Sequence, residues 1–171
     1  VLHDDNYVGL LASGTLTFNS TINDGVTTVT DGQFGSTDIS DITLQITNNL
    51  GSAWTYETPY TTSAIAATYN DNTSSSLITI KSNSPATNFW FKGIFIADYG
   101  GSNVKVEGFD NGTSTGFVNL TLSTNGFENT FTTTQLTQSI FQNVDEIRIT
   151  PQSGSDMWIA LNNIVIDNHI W

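Results

Sequence analysis

The first half of the chain contains a cluster of aromatic residues set among small polar ones. Together with one nearby carboxylate, the cluster comprises Trp54, Tyr56, Tyr60, Tyr69 and Asp71. Indole and phenol rings have apolar faces that stack on the apolar side of a pyranose, and a carboxylate beside them orients the hydroxyls. We predict that this cluster binds a glycan, with Tyr99, beside a Gly-Gly turn, as a further contact. The alternative is that Trp54 and Tyr56 only cap an edge of the fold.

The carboxylates of the sequence do not form a pattern typical of a hydrolase. Retaining glycosidases need two carboxylates about 5 Å apart, and the Glu residues are widely dispersed: Glu57, Glu107, Glu128 and Glu146. No H-E-x-x-H, P-loop or dinucleotide fingerprint occurs. A polysaccharide lyase needs a cationic groove, and four basic residues cannot line one. We therefore predict no catalytic residues and a non-catalytic protein.

The charge balance excludes several classes of partner. Sixteen acidic residues against four basic ones give a net charge of −12, which repels phosphate backbones and anionic lipid surfaces. We predict no nucleic-acid partner. No apolar run approaches the roughly 20 residues needed to cross a bilayer, so we also predict no membrane insertion.

Alternation of apolar and polar residues dominates the rest of the sequence. Val104 and Val106 alternate with Lys105 and Glu107, and short runs of this kind are separated by Gly, Asn, Asp and Ser turns. No segment has a convincing helical pattern. The regular succession of alternating runs and turns predicts an all-β protein, a two-sheet antiparallel β-sandwich of about ten strands. At 171 residues the chain fits one domain.

Three segments carry more specific expectations. The Asn23-Asp24-Gly25 turn predicts a hairpin between the strands on either side of it. Residues 89–97 are apolar on both faces, which predicts a central strand. Residues 52–76 have no clear period, which predicts a long, partly irregular segment, with a strand or short helix near residues 64–69 as the alternative.

Three stretches in the C-terminal half resemble the jelly-roll modules of the carbohydrate-binding, galactose-binding-like type that occur in secreted bacterial glycan-active and surface proteins. They are residues 104–112 (VKVEGFDNG), 141–149 (FQNVDEIRI) and 158–166 (WIALNNIVI). The resemblance implies a jelly roll. It also implies a structural Ca²⁺ between the first and last strands, with Asn163 in the last strand and Asp4 or Asp5 in the first as ligands. The usual acidic pair is Asn162-Asn163 here, which lowers the ligand charge.

Two functions remain open on this evidence. The first is a non-catalytic, lectin-like carbohydrate-binding module that stacks exposed aromatic rings on a polysaccharide. The second is an adhesive or structural spacer module of a bacterial surface protein with no sugar site. In either case we expect a secreted or cell-surface location, and we interpret the start at Val1 and the end at Trp171 as a domain excised from a larger extracellular protein.

Overall fold

The described part of the chain forms two antiparallel sheets of six strands each. The computed structural model describes residues 13–20, 28–29, 42–47, 54–57, 64–67, 77–83, 87–98, 103–122, 128–152, 157 and 159–168. For residues 44–47, 54–57, 64–67 and 168 it describes the backbone alone. Twelve strands and one short helix lie in this part of the chain. The predicted all-β class and two-sheet antiparallel sandwich are confirmed.

The chain crosses repeatedly from one sheet to the other, in single strands and in consecutive pairs. In order, the elements are β1 (Gly14–Leu16), β2 (Thr28–Val29), β3 (Ile42–Thr47), β4 (Trp54–Glu57), β5 (Ala64–Ala67), β6 (Leu77–Ser82), β7 (Phe89–Asp98), β8 (Asn103–Asp110), β9 (Thr113–Thr121), β10 (Glu128–Phe131), α1 (Gln138–Phe141), β11 (Glu146–Pro151) and β12 (Ile159–Asn168). The first sheet has the order β10-β7-β12-β5-β4, with β1 also paired to β12, and the second has the order β2-β3-β6-β11-β8-β9. No helix in the described ranges is long and apolar enough to cross a bilayer.

The core lies between the two sheets and is built from both of them. A single cluster of buried apolar residues includes members of β1, β6, β7, β8, β11 and β12. Its largest fully buried side chains are Phe18, Phe89, Phe91, Phe141, Ile78 and Ile80. Because successive side chains of a strand point to opposite faces, the alternating sequence of β8 buries Val104 and Val106 in this core. Lys105 and Glu107, which alternate with these valines, lie on the outside of the second sheet.

The central position predicted for residues 89–97 is confirmed. Strand β7 pairs with β10 on one side and with β12 on the other. In its second half the side chains are buried on both faces, because Ile94 and Ile96 belong to the core between the sheets while Phe95 and Ala97 form a separate buried cluster with Ala160. Consecutive apolar residues in this part of the sequence therefore reflect burial of both faces.

The N-terminal hairpin prediction is wrong. Strand β1 pairs with β12, more than a hundred residues away, with Leu16 opposite Ile164, while β2 pairs with β3 in the other sheet. Within residues 52–76 the structure describes β4 and β5, which pair with each other, so the strand that was the alternative near residues 64–69 is present. The other residues predicted to be irregular lie outside the described residues. The hairpin error arises because turn residues and periodicity identify strands but not their partners.

The hairpin of β8 and β9 follows directly from the local sequence. Its connection places Asn111 at φ 49° and Gly112 at φ 77°, the two successive positive values of the tight turn that suits twisted antiparallel strands. The Asn111 N–H donates to Asp145 Oδ2 over 2.9 Å. This contact ties the turn to the start of β11 and fixes how β8, β9 and β11 lie against one another.

Candidate functional site

The outward side chains of β6, β11, β8 and β9 form one continuous surface on the second sheet. Its charged and aromatic members, which we call the outer face, are Lys81, Lys105, Glu107, Phe117, Glu146 and Arg148. Strand register places Phe117 opposite Glu107, and Glu107 opposite Arg148. These side chains come together because the buried residues between them hold the other face of each strand in the core.

Phe117 is the exposed aromatic residue of the outer face. Its side chain is 53% exposed, and no other large hydrophobic residue in the described part of the chain is classed as exposed. The Lys105 ammonium lies 5.1 Å from the centroid of its ring. On the neighbouring strand pair, the Arg148 guanidinium lies 3.9 Å from the centroid of the buried Phe109 ring. Cations held over ring faces in this way fix the side chains that surround the aromatic surface.

Glu107 links the polar groups of this surface. Lys105 Nζ lies 2.6 Å from Glu107 Oε2, and Ser114 Oγ donates to Glu107 Oε1 over 2.8 Å. Burial of Glu107 acts to raise its pKa, but the hydrogen bonds from Lys105 and Ser114 and the charges of Lys105 and Arg148 outweigh it. The pKa of Glu107 is therefore held below its ordinary value.

Arg148 forms an ion pair with a carboxylate on its own strand, β11. Its Nε pairs with Glu146 Oε1 two residues earlier on the same face of the strand. Both side chains remain partly exposed, so the pair contributes little to stability. Its consequence is geometric, because it fixes the guanidinium in the middle of the outer face.

An open cavity lies at the end of the outer face where β8, β9 and β11 meet. Its volume is about 370 Å³ and it is lined by Lys105, Phe117, Asn119, Thr150, Pro151 and Gln152. Gln152 Nε2 donates to the carbonyl of Val104 over 2.9 Å and to that of Leu120 over 3.4 Å. The cavity therefore combines one aromatic face with several hydrogen-bonding groups, the combination that orients a sugar ring.

Part of the aromatic cluster predicted from the sequence lies on an edge strand. Trp54 and Tyr56 belong to β4, the last strand of the first sheet, where their backbones pair with Ala67 and Ile65 of β5. Tyr60, Tyr69, Asp71 and Tyr99 lie outside the described residues. The glycan site predicted at these positions stays a prediction. Trp54 and Tyr56 lie in the first sheet, whereas the outer face belongs to the second.

The calcium prediction also stays a prediction. Asp4 and Asp5 lie outside the described residues. Asn163 lies at the irregular stretch of β12 with a φ of 46° and an exposed side chain, so its oxygen is accessible as a ligand. Among the described residues no group of three His, Cys, Asp or Glu side chains has the spacing of a metal site.

Sequence reasoning missed Phe117 and its neighbours, although a signal was present. The even-numbered positions of this segment are apolar and pack against the core: Val118, Leu120 and Leu122. Phe117 and Asn119, at odd-numbered positions, therefore point to solvent. An aromatic residue at an outward position of an otherwise polar strand face offers a ring face on which a ligand can stack.

Residues 112–116 match the G-x-S-x-G spacing of a nucleophile elbow, which requires a strand-to-helix turn. Ser114 lies instead within the extended strand β9, and its hydroxyl donates to Glu107. The match therefore does not indicate a catalytic serine.

No protein-family model and no curated protein matches the amino-acid sequence. Solved structures do match the fold. A variant of the family 29 carbohydrate-binding module CBM29-2 is 11% identical, with 93% of each chain covered and a TM-score of 0.53. The chain has the fold of a carbohydrate-binding module.

Two further solved structures match the fold. CBM29_1, a family 29 carbohydrate-binding module from Piromyces equi, is 12% identical, with 92% of this chain and 90% of that chain covered and a TM-score of 0.54. A DUF4465 family protein from Bacteroides caccae is 12% identical, with 98% of each chain covered and a TM-score of 0.52. The resemblance to carbohydrate-binding jelly-roll modules predicted from the C-terminal half is thus confirmed at the level of the fold, and it extends over nearly the whole chain.

Proposed function

We propose that this protein is a non-catalytic glycan-binding module whose binding surface is the outer face. The observation that carries the proposal is the half-exposed ring of Phe117, set at the mouth of a cavity with Lys105, Asn119 and Gln152 around it. The fold supports it, because two of the solved structures that share the fold are carbohydrate-binding modules by name. Fold alone does not determine function, which depends here on the side chains of the outer face.

The bound sugar would stack on Phe117. The ring offers an apolar face to the C–H groups of a pyranose, and Asn119, Thr150 and the Lys105 ammonium hydrogen-bond its hydroxyls. One aromatic residue with a few polar neighbours supports a modest affinity, with a Kd in the μM to mM range, about 4 to 8 kcal/mol. Repeated engagement of a polymer would add avidity.

A module of this kind acts outside the cell on a polysaccharide, so we propose a secreted or cell-surface location. The adhesive or spacer alternative predicts an outer face without a ligand. The observation that favours the first function is the exposed Phe117 ring beside a cavity with hydrogen-bonding groups, because a sugar site needs an apolar face and polar groups together. We therefore favour the glycan-binding function.

The decisive experiment is a glycan array followed by affinity electrophoresis on the polysaccharides that bind. We expect Phe117→Ala to weaken binding by about 10-fold or more, the usual loss when a central aromatic contact is truncated. Phe117→Tyr keeps the ring and is the matched control, with binding retained. Both variants should melt at the temperature of the parent, because the side chain is half exposed.

Trp54→Ala distinguishes the outer face from the site predicted at β4. Loss of binding in Phe117→Ala but not in Trp54→Ala supports the outer face. The reverse result would place the site at β4 and overturn the outer face as the binding surface while leaving the function intact. A parent protein that binds no glycan on the array would overturn the function itself.

A further inference from the structure

Basic residues are rare in this chain, and they are concentrated on the outer face. The sequence has sixteen acidic residues and four basic ones, and three of those four are Lys81, Lys105 and Arg148. The fourth, Lys92, lies on β7 in the other sheet and pairs with Asp167 over 3.0 Å. Against two carboxylates, Glu107 and Glu146, the outer face carries a small positive excess in a strongly acidic protein.

The cavity beside Phe117 has one charged side chain among the described residues that line it, Lys105. The Glu107 carboxylate that pairs with Lys105 is not part of this lining. Asn119 and Thr150 carry neutral amide and hydroxyl groups that can donate hydrogen bonds, whereas the amide N–H groups of Gln152 donate to the carbonyls of Val104 and Leu120. An anionic group on a ligand would therefore meet a cation and two neutral donor groups.

The ion pair with Glu107 leaves N–H donors of the Lys105 ammonium available to a ligand. An ammonium group has three N–H donors, and the contact of 2.6 Å with Glu107 Oε2 uses one of them. The pair instead holds the ammonium over the Phe117 ring, 5.1 Å from its centroid. The more distant acidic residues oppose an anionic ligand only weakly, since charges are screened over about 8 Å at physiological ionic strength.

We propose that the glycan bound on the outer face carries carboxylate groups, that is, a uronate-containing polysaccharide, with Lys105 Nζ as the counter-ion of the carboxylate while the sugar ring stacks on Phe117. This inference rests on the proposed function and specifies its ligand class. The stacking is common to neutral and acidic sugars, so the charge of the cavity is what selects between them.

The test compares polysaccharides that differ only in this group. Polygalacturonate, alginate and polyglucuronate, and the carboxyl-reduced form of each, are titrated against the full chain by calorimetry at low and high NaCl concentrations. We expect at least one uronate polymer to bind about 10-fold or more tightly than its reduced form, with an advantage that shrinks as salt rises. Lys105→Gln should remove that advantage. Lys92→Gln, which changes net charge equally on the other sheet, should leave it intact.

Each result has a definite reading. Equal or tighter binding of all three reduced polymers, or an advantage that survives in Lys105→Gln, would overturn the uronate proposal. If neutral glycans bind in a manner that depends on Phe117, the proposed function stands while the ligand class is wrong. If no polysaccharide of either kind binds, the proposed function falls as well.

Discussion

The side-chain amide of Asn162 hydrogen-bonds both main-chain polar groups of Phe18. The Phe18 N–H donates to Asn162 Oδ1 over 2.9 Å, and Asn162 Nδ2 donates to the Phe18 carbonyl over 3.3 Å. The same Oδ1 accepts the N–H of Asn163 over 2.8 Å. Asn162 thus takes the place of a strand backbone where β12 becomes irregular, and it extends the pairing of β1 beyond Leu16.

Asn162→Asp should destabilise the protein by about 2 to 3 kcal/mol, because a carboxylate keeps the shape and the acceptor but loses the donor to the Phe18 carbonyl in a buried site. Urea unfolding measures the change. Asn119→Asp is the matched control, since the same atoms change on an exposed side chain, and it should stay within about 0.5 kcal/mol of the parent. Equal stabilities of the two variants would show that the Asn162 amide contributes nothing.

Gly108→Ala should destabilise the hairpin of β8 and β9. A Cβ at residue 108 would lie 2.5 Å from Thr115 Oγ1, 2.9 Å from Val144 Cγ1 and 3.2 Å from the Ile140 carbonyl. Relief requires the side chains of Thr115 and Val144 to shift in a packed region, and overpacking of this kind costs about 1 to 3 kcal/mol. Gly112→Asn is the comparison variant, because the turn position is open and Asn is among the residues that best adopt a positive φ. The midpoint of urea unfolding should fall further for Gly108→Ala than for Gly112→Asn.

Glu107 should contribute stability that depends on pH. Its folded pKa lies below the ordinary value of 4.5, so the unfolded chain binds the proton more readily than the folded one. The contribution is complete above the unfolded pKa and is lost as the pH falls through the folded pKa. When the pH is lowered from neutral to acid, the free energy of unfolding should therefore fall less in Glu107→Gln than in the parent.

The pKa itself can be measured by NMR titration of the Glu107 side-chain carboxyl. Lys105→Gln removes both a hydrogen bond and a charge, so it should move the midpoint upward. A midpoint at or above 4.5 in the parent would contradict the hydrogen bonding described for Glu107.

Calcium should raise the melting temperature if Asp4, Asp5 and Asn163 bind it as the resemblance implies. A ligand present at 100 times its Kd stabilises a folded protein by about 2.7 kcal/mol. Asn163→Gly preserves the left-handed backbone and removes the side-chain ligand, so the shift should disappear in that variant. Thermal melts in Ca²⁺, in Mg²⁺ and in chelator make the comparison. Identical melting temperatures in Ca²⁺ and chelator would rule out the site.

The sequence by itself determined the all-β class and, for its regularly alternating strands, which face is buried. Val104 and Val106 alternate with Lys105 and Glu107, and that period of two is set by backbone geometry within a single strand. The turn at Asn111 and Gly112 was equally accessible, because positive φ values are a local property of these residues. The class of fold followed from features of this kind.

Only the tertiary structure decided which strands are neighbours and which outward residues share a surface. Every strand presents the same backbone donors and acceptors, so nothing local pairs β1 with β12 across the length of the chain, or sets Phe117 beside Glu107 and Arg148. The outer face is assembled by the register of β9, β8 and β11. A sequence pattern reports the direction of a side chain, whereas a binding surface depends on the neighbours that strand pairing gives it.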